Sequence, residues 1–285
     1  MTGFESLLGG GGGAAAQAMN LDVLAPEGGL LRKRGKVMFH STFEGGDFQG
    51  WRDHYGTGSP SPAVGLTKYP VMSGSHAMML STGSVPYFAD NVSNSSGTYK
   101  NLSFPREKGL VSFSGFFAQA SDASNTAGSQ DVGFDNVGLF FDTQSWADVR
   151  RFYRASLTTR AGSATPAWMI TTREGQIVVP NTGNITGGIN ERKWNFNYWR
   201  LTIDLAGGPD GLGGYVELQV NSRTFDLRAY APPIDAPQAG SAMDSFAGGF
   251  NPGLAIARSY RVPEYTENAV VFDDLVVTFN DVRNY

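Results

Sequence analysis

Three aromatic residues, Trp194, Phe196 and Tyr198, alternate along the segment NERKWNFNYW. In an extended chain alternate side chains share a face, so these three would form one surface while Trp199 points the other way. A row of aromatics flanked by polar side chains is what stacks on sugar rings, which makes the segment a candidate glycan platform. The commoner use of such spacing is an aromatic cluster in a core or between sheets. Trp51, Tyr55, Trp146 and Trp168 are read the same way, as core before ligand. Cleavage chemistry is harder to find. Glycoside hydrolysis needs two carboxylates flanking one bond. The nearest pair, Asp135 and Asp142 in DVGFDNVGLFFD, is seven residues apart, which sends the two to opposite faces of a regular strand. Elimination from a polysaccharide wants a Tyr or His base beside Arg or Lys; Tyr and Arg are plentiful, but no spacing singles out a pair. No G-x-S-x-G elbow, H-E-x-x-H zinc motif or Walker sequence is present. On these grounds no catalytic residue is nominated and no enzymatic activity is expected.

Composition narrows the chemistry further. The absence of Cys removes disulfides, thiolate metal sites, iron–sulfur clusters and thiol nucleophiles. Only His40, His54 and His76 are available for histidine relays or ligation. A formal net charge of −4 argues against a general nucleic-acid binder, and no run of about 18 apolar residues marks a membrane span. Neither nucleic acid nor membrane is expected as a partner. Four Asn sequons, at Asn91, Asn94, Asn101 and Asn184, are read as polar loop chemistry.

The elements that would position any site are β almost throughout. Short runs rich in Val, Phe, Tyr, Thr and Ser recur between Gly, Asn, Asp and Pro clusters from Val37 onward. Strands are expected near residues 37–43, 77–81, 99–104, 110–118, 136–142, 152–159, 168–172 and 176–179. Others are expected near 199–204, 215–220, 223–226, 254–259 and 270–279. Alternation is clean where Leu201, Ile203 and Leu205 oppose Arg200, Thr202 and Asp204. Asn221-Ser222 supplies a hairpin turn, and the Gly-rich run Gly207–Gly214 reads as a hairpin loop rather than a phosphate cradle. One short helix is expected over Gln144–Arg151, with Ser145 as N-cap, although a strand suits its end equally well. The stretches 56–62, 121–129 and 231–240 read as long surface loops within one domain. About a dozen short strands with almost no helix imply two antiparallel sheets packed face to face, an all-β jelly-roll sandwich.

Residues 1–35 show no sustained period and include the run Gly9–Gly13, which cannot hold one conformation unaided. They are read as an extended Gly-rich arm, with 36–285 forming the sandwich domain. Phe4, Leu7, Leu8, Leu21, Val23 and Leu24 are the arm's candidate partner-binding pegs. The start of the chain lacks the basic and apolar regions of a secretory signal, so synthesis in a host cytoplasm without export is expected.

The body opens with FEGGDFQGW (43–51) and closes with VFDDLVVT (271–278). These ends resemble the first and last strands of concanavalin A-like and carbohydrate-binding-module jelly rolls. NYWRLTID followed by GYVELQVN is similar to the laminin-G-like hairpin of that superfamily. The resemblance spans roughly residues 37–285 and implies a sandwich whose first and last strands pair. In carbohydrate-binding modules of this kind the Glu of the first motif and an Asp of the last often share a structural Ca²⁺. That nominates Glu44 and Asp273 or Asp274 as ligands, with Asp47 as helper, against the plainer use of Asp273 and Asp274 as a polar strand entry. Glycoside hydrolases of the superfamily carry an E-x-D-x-x-E-like run, which is absent here.

A lectin-like sandwich without signal or Cys, preceded by a Gly-rich arm, is organised like tailed-phage decoration and minor tail proteins. The expectation is therefore a non-enzymatic virion protein that decorates or stabilises a phage capsid, or sits on the tail. It would dock through its arm onto the major capsid protein or another virion protein, as a homo-oligomer. The alternatives are a carbohydrate-binding module that recognises glycans and, after it, a glycan-cleaving enzyme.

Overall fold

The computed structural model describes residues 36–57, 63–82, 95–102, 108–120, 136–144, 149–159, 166–180, 195–235, 250–257 and 269–279. In chain order the strands begin with β1 (Lys36–Ser41), β2 (Trp51–Thr57), β3 (Ala63–Thr67), β4 (Ala77–Ser81), β5 (Ser95–Lys100), β6 (Leu110–Gln119), β7 (Asn136–Gln144) and β8 (Arg150–Thr159). They continue with β9 (Pro166–Thr172), β10 (Gly175–Val178), β11 (Asn197–Asp204), β12 (Gly214–Val220), β13 (Arg223–Asp226), β14 (Ile234–Asp235), β15 (Phe250–Ala257) and β16 (Ala269–Phe279). The first sheet runs β13-β12-β11-β6-β16-β4-β3, with β1 on the C-terminal half of β16. The second runs β10-β9-β8-β7-β15-β5-β2, with β14 on the start of β8. Every ladder described is antiparallel, and the all-β jelly-roll sandwich expected from the strand pattern is what forms.

One core lies between the sheets. Val111, Phe113 and Phe117 of β6, Trp199 and Leu201 of β11, and Phe272 and Val277 of β16 face Leu139 and Phe141 of β7, Tyr153 of β8 and Leu254 of β15. Aromatic edges knit it: Phe113 meets Trp199 T-shaped at 4.6 Å and reaches across to Phe141 at 5.8 Å. Such contacts add about 0.5–1.5 kcal/mol each beyond the area they bury. Trp199 points into this core, opposite to Phe196 and Tyr198, as the alternation requires.

The two ends of the body do meet. Ser41 of β1 lies opposite Leu275 of β16, and Phe43 and Trp51 of the opening motif are both in the core. Ser41 Oγ donates to Gln49 Oε1 (2.6 Å) and accepts from Trp51 Nε1 (3.3 Å), which closes the loop between them. In the closing motif the register slips between Asp273 and Val276, with Asp274 at φ 49°. Gly115 makes that bulge possible, because a Cβ there would strike the Leu275 side chain and crowd the Asp273 carbonyl.

Several sequence expectations change. Gln144 closes β7 and Arg150–Arg151 open β8, so both ends of the expected helix are extended; among the described residues there is no helix. Its apolar spacing fitted one helical turn, but period two continues through Phe152–Thr159 and the β7 ladder captures the segment. Strands β2 and β3 were not expected, since Gly, Ser and Pro dominate the segment between them. The Asn221 turn forms as expected: Asn221 takes φ 50°, accepts from the Tyr198 N–H (2.9 Å) and donates to Asn197 Oδ1 (3.1 Å).

Candidate functional site

The outer face of the second sheet is assembled by register. Arg52 of β2, Tyr99 of β5, Gly253 of β15, Phe140 of β7 and Arg154 of β8 are successive cross-strand partners. The next row toward the end of the sheet is Asn251, Asp142 and Phe152. The row on the other side is Gly97, Ala255, Gly138 and Ser156. Along β8, Arg150, Phe152 and Arg154 therefore alternate on one face, with Arg151, Tyr153 and Ala155 on the other.

Glycine shapes this surface. A Cβ on Gly253 would overlap the Phe140 ring, and one on Gly138 would press on the Arg154 guanidinium at 3.3 Å. Both large side chains thus lie flat on a backbone floor instead of standing upright. Phe140 is buried and stacks under the half-buried Phe152, with centroids 5.2 Å apart and planes 29° apart. The result is an aromatic step at Phe152 with an arginine on either side of it along the strand.

Asp142 is committed. Arg150 donates to it twice, Nε to Oδ1 at 2.8 Å and Nη2 to Oδ2 at 2.7 Å, in a fork held at 14% and 6% side-chain exposure. These bonds push the Arg150 guanidinium above its ordinary value against the opposing effect of burial. Asn251, opposite Asp142, is buried, and its Oδ1 has no hydrogen-bond partner among the described residues. Pro252 follows it one residue ahead of the point where β5 begins to pair, a position where a missing N–H breaks no β5 bond.

The residues singled out from sequence fall elsewhere. Phe196 and Tyr198 are buried on the outer face of the first sheet, in a small cluster with Phe116, Ala118 and Val271 that Val71 and Met72 cover. Tyr198 packs on Phe116 at 5.5 Å. They are a packed patch on the outside of a sheet rather than an open row of rings. Trp194 and the arm residues Phe4, Leu7, Leu8, Leu21, Val23 and Leu24 lie outside the described residues.

Glu44, Asp273 and Asp274 are brought to one region by the 71–76 turn. The Glu44 carboxylate wraps over Gly74, accepting from the backbone N–H and Oγ of Ser75 and from the His76 N–H (2.8–3.2 Å). The Ser75 amide above all, and the His76 amide after it, hold Glu44 below the usual carboxylate range. Asp273 is fully buried and accepts from the Met72 and Ser73 amides and from the Asp274 amide. Burial nevertheless pushes it up to about 6. Asp274 accepts from Ser73 Oγ and lies 3.5 Å from His40 Nε2. Asp47 stands apart and takes the Gln49 N–H. The carboxylates clamp backbone, and among the described residues no group of three His, Asp or Glu is arranged to hold a metal ion.

Sequence reasoning missed Arg150, Phe152, Arg154 and Asn251. The R-x-F-x-R alternation was a usable signal for the first three, obscured by reading its start as helical. Nothing local marks Asn251, Gly138 or Gly253, whose roles come from cross-strand register.

No protein-family model matches this chain, and no curated protein matches it. Solved structures do. The endo-β-1,4-glucuronan lyase from the fungus Trichoderma reesei aligns with 87% of this chain and 100% of its own at 11% identity and TM-score 0.46. Alginate lyase vAL-1 from Chlorella virus aligns over 86% and 100% at 8% identity and TM-score 0.46. The CBM22-1 xylan-binding domain from Paenibacillus barcinonensis Xyn10C aligns over 88% and 99% at 13% identity and TM-score 0.31. These are glycan-cleaving enzymes and a carbohydrate-binding module, and they run against the expected non-enzymatic capsid or tail role and the expected lack of enzymatic activity. The arm-plus-sandwich organisation that suggested a virion protein is not specific to one, because such sandwiches host many functions. What the chain shares with these structures is the jelly-roll sandwich of two antiparallel sheets.

Proposed function

We propose that the chain binds an acidic polysaccharide across the outer face of the second sheet and cleaves it by elimination. The observation that carries this reading is the alternation of Arg150, Phe152 and Arg154 on one face of β8, with the Arg154 guanidinium laid on the Gly138 floor. A sugar ring stacks on Phe152, and Arg154 neutralises a uronate carboxylate. Neutralisation makes the proton α to that carboxylate removable: the base takes it, the electrons form a C=C bond, and the glycosidic oxygen leaves with a proton. Tyr99 stands in the same cross-strand row as Arg154 but is itself buried, so it lines the floor of that face rather than meeting the substrate. Hydrolysis by paired carboxylates fits less well, since Asp142 is the only carboxylate among the described residues of β5, β7, β8 and β15 and is forked to Arg150.

Incubation with alginate and with polyglucuronate, followed by ultraviolet absorbance of the unsaturated uronate end, tests the proposal. Arg154→Ala should lower the rate or the affinity roughly tenfold to hundredfold, the worth of a charged hydrogen bond. New reducing ends without unsaturated product would refute elimination. Saturable binding without any product would reduce the protein to a binding module, and no binding to either polymer would end the proposal.

A further inference from the structure

The Arg150–Asp142 pair lies beside whatever rests on Phe152. Asp142 is directly opposite Phe152 across the β7–β8 ladder, so the guanidinium forked to it is that ring's neighbour on the outer face. Arginine carries five N–H donors and no acceptor. The fork spends one on Nε and one on Nη2, and among the described residues Nη1 makes no hydrogen bond. Arg150 keeps 14% side-chain exposure, and none of its nitrogens is among the polar atoms both unpartnered and closed to solvent. Nη1 is therefore a donor that faces water.

The charge of Arg150, by contrast, is spent. It stands between Gln144 of β7 and Asp235 of β14 in one cross-strand row. The Asp142 bonds first, and the Asp235 charge after them, hold its guanidinium above the ordinary value. One cation thus faces two carboxylates, and a third, brought by a ligand, would meet net negative charge. Arg154 marks the other end of the step. Arg150 leans over Asp142 and Arg154 over Gly138, two β7 residues four apart, which separates the guanidiniums by about 13 Å. One sugar ring does not span that distance, so the two arginines read different sugars of one chain.

We infer that Arg150 is the specificity-determining donor of the glycan site: through Nη1 it donates to a neutral oxygen, a hydroxyl or an N-acetyl carbonyl, of the sugar on Phe152, and it disfavours a carboxylate there. The substrate class that follows is an acidic polysaccharide in which uronates alternate with neutral sugars. This rests on the polysaccharide reading above, which gives the uronate to Arg154.

The test compares a polymer of alternating glucuronate and N-acetylglucosamine with polyglucuronate of matched length. Affinity is read by calorimetric titration or, where a polymer is cleaved, from KM. Wild type should prefer the alternating polymer about tenfold or more, since like charges set side by side are strongly disfavoured. Asp142→Asn should strip the negative charge and improve polyglucuronate about tenfold, with the alternating polymer little changed. Asp235→Asn, outside the fork, should shift the ratio the same way by less, and carries the test should Asp142→Asn fail to fold. Arg150→Lys keeps a charge for Asp142 but loses the Nη1 edge, and should bind the alternating polymer roughly tenfold more weakly. An absent or reversed wild-type preference, a ratio that neither Asn variant moves, or full affinity in Arg150→Lys overturns the inference and leaves the polysaccharide reading standing. Binding of wild type to neither polymer overturns both.

Discussion

Replacing Arg150 by Ala removes both guanidinium hydrogen bonds to Asp142 and leaves a carboxylate of 6% side-chain exposure without that counter-charge. At the observed 2.7–2.8 Å and an effective dielectric near 20, the attraction is about 6 kcal/mol. Most of it only repays the desolvation of two ions, so the intact pair contributes little net stability. Deleting one partner is different: the remaining charge keeps its desolvation penalty and loses the repayment, at about 3–5 kcal/mol. Arg150 retains 14% side-chain exposure, so water can enter the space it leaves, and the lower end, about 3 kcal/mol, applies. For a chain of this size each kcal/mol moves the midpoint by about 2–4 °C, which predicts a Tm loss of roughly 6–12 °C. Asp142→Leu combined with Arg150→Met should recover most of that loss, since an apolar pair of similar volume needs no counter-charge. Thermal and urea unfolding of wild type, Arg150→Met, Asp142→Leu and the double close a mutant cycle, with Arg150→Ala measured beside it. A wild-type midpoint for Arg150→Ala, or a double variant no more stable than the worse single, would refute the reasoning.

Two further predictions concern the 71–76 turn. Gly74→Ala places a Cβ at φ 67° and against the Glu44 carboxylate, so it should cost at least about 1–2 kcal/mol from the backbone alone, read as a lowered urea midpoint. A Gly74→Ala protein as stable as wild type would mean that Glu44 does not wrap that turn. Asp273, raised to about 6 in the fold against an ordinary value near 3.8, binds its proton more tightly folded than unfolded. Its contribution to stability therefore grows as pH falls from 7 through 6 toward 4 and is lost as pH rises through 6. Asp273→Asn should flatten that part of the stability–pH profile, and an unchanged slope would count against the assignment.

The sandwich was legible because its determinants are local. Period-two runs such as Leu201–Leu205 sort side chains onto two faces, and Asn221 marks a turn through a left-handed backbone and a side chain that caps the strand beside it. The F-E and F-D-D ends were equally readable, down to the pairing of β1 with β16. Where local signals conflicted, tertiary pairing decided. Gln144–Arg151 carries apolar spacing that suits a helical turn, but Gln144 pairs with Arg150, and Arg150 and Arg151 lie between β7 and β14, ladders that an isolated turn could not match.

The candidate site divides along the same line. Amino-acid order alone determined that Trp199 turns away from Phe196 and Tyr198, because neighbours in an extended chain are bound to alternate; Arg150, Phe152 and Arg154 came to share one side only once the β7 ladder made their segment a strand. It also excluded thiol, zinc-finger and nucleotide-cradle chemistry through the residues it lacks. It did not determine which aromatics are open: Phe196 and Tyr198, the candidate platform by spacing, are packed under Val71 and Met72, while Phe152 stands half-buried on the other sheet. Nor did it place Tyr99, Gly253, Phe140 and Arg154 in one row, or Asn251 opposite Asp142. Those partners are separated by up to 154 residues, as Tyr99 and Gly253 are, and are joined only by strand register. Register is fixed by burying the inward faces of both sheets together, since a one-residue slip would turn Leu254, Phe141 and Tyr153 out of the core. The core thus sets the register, and the outer face inherits its chemistry from it.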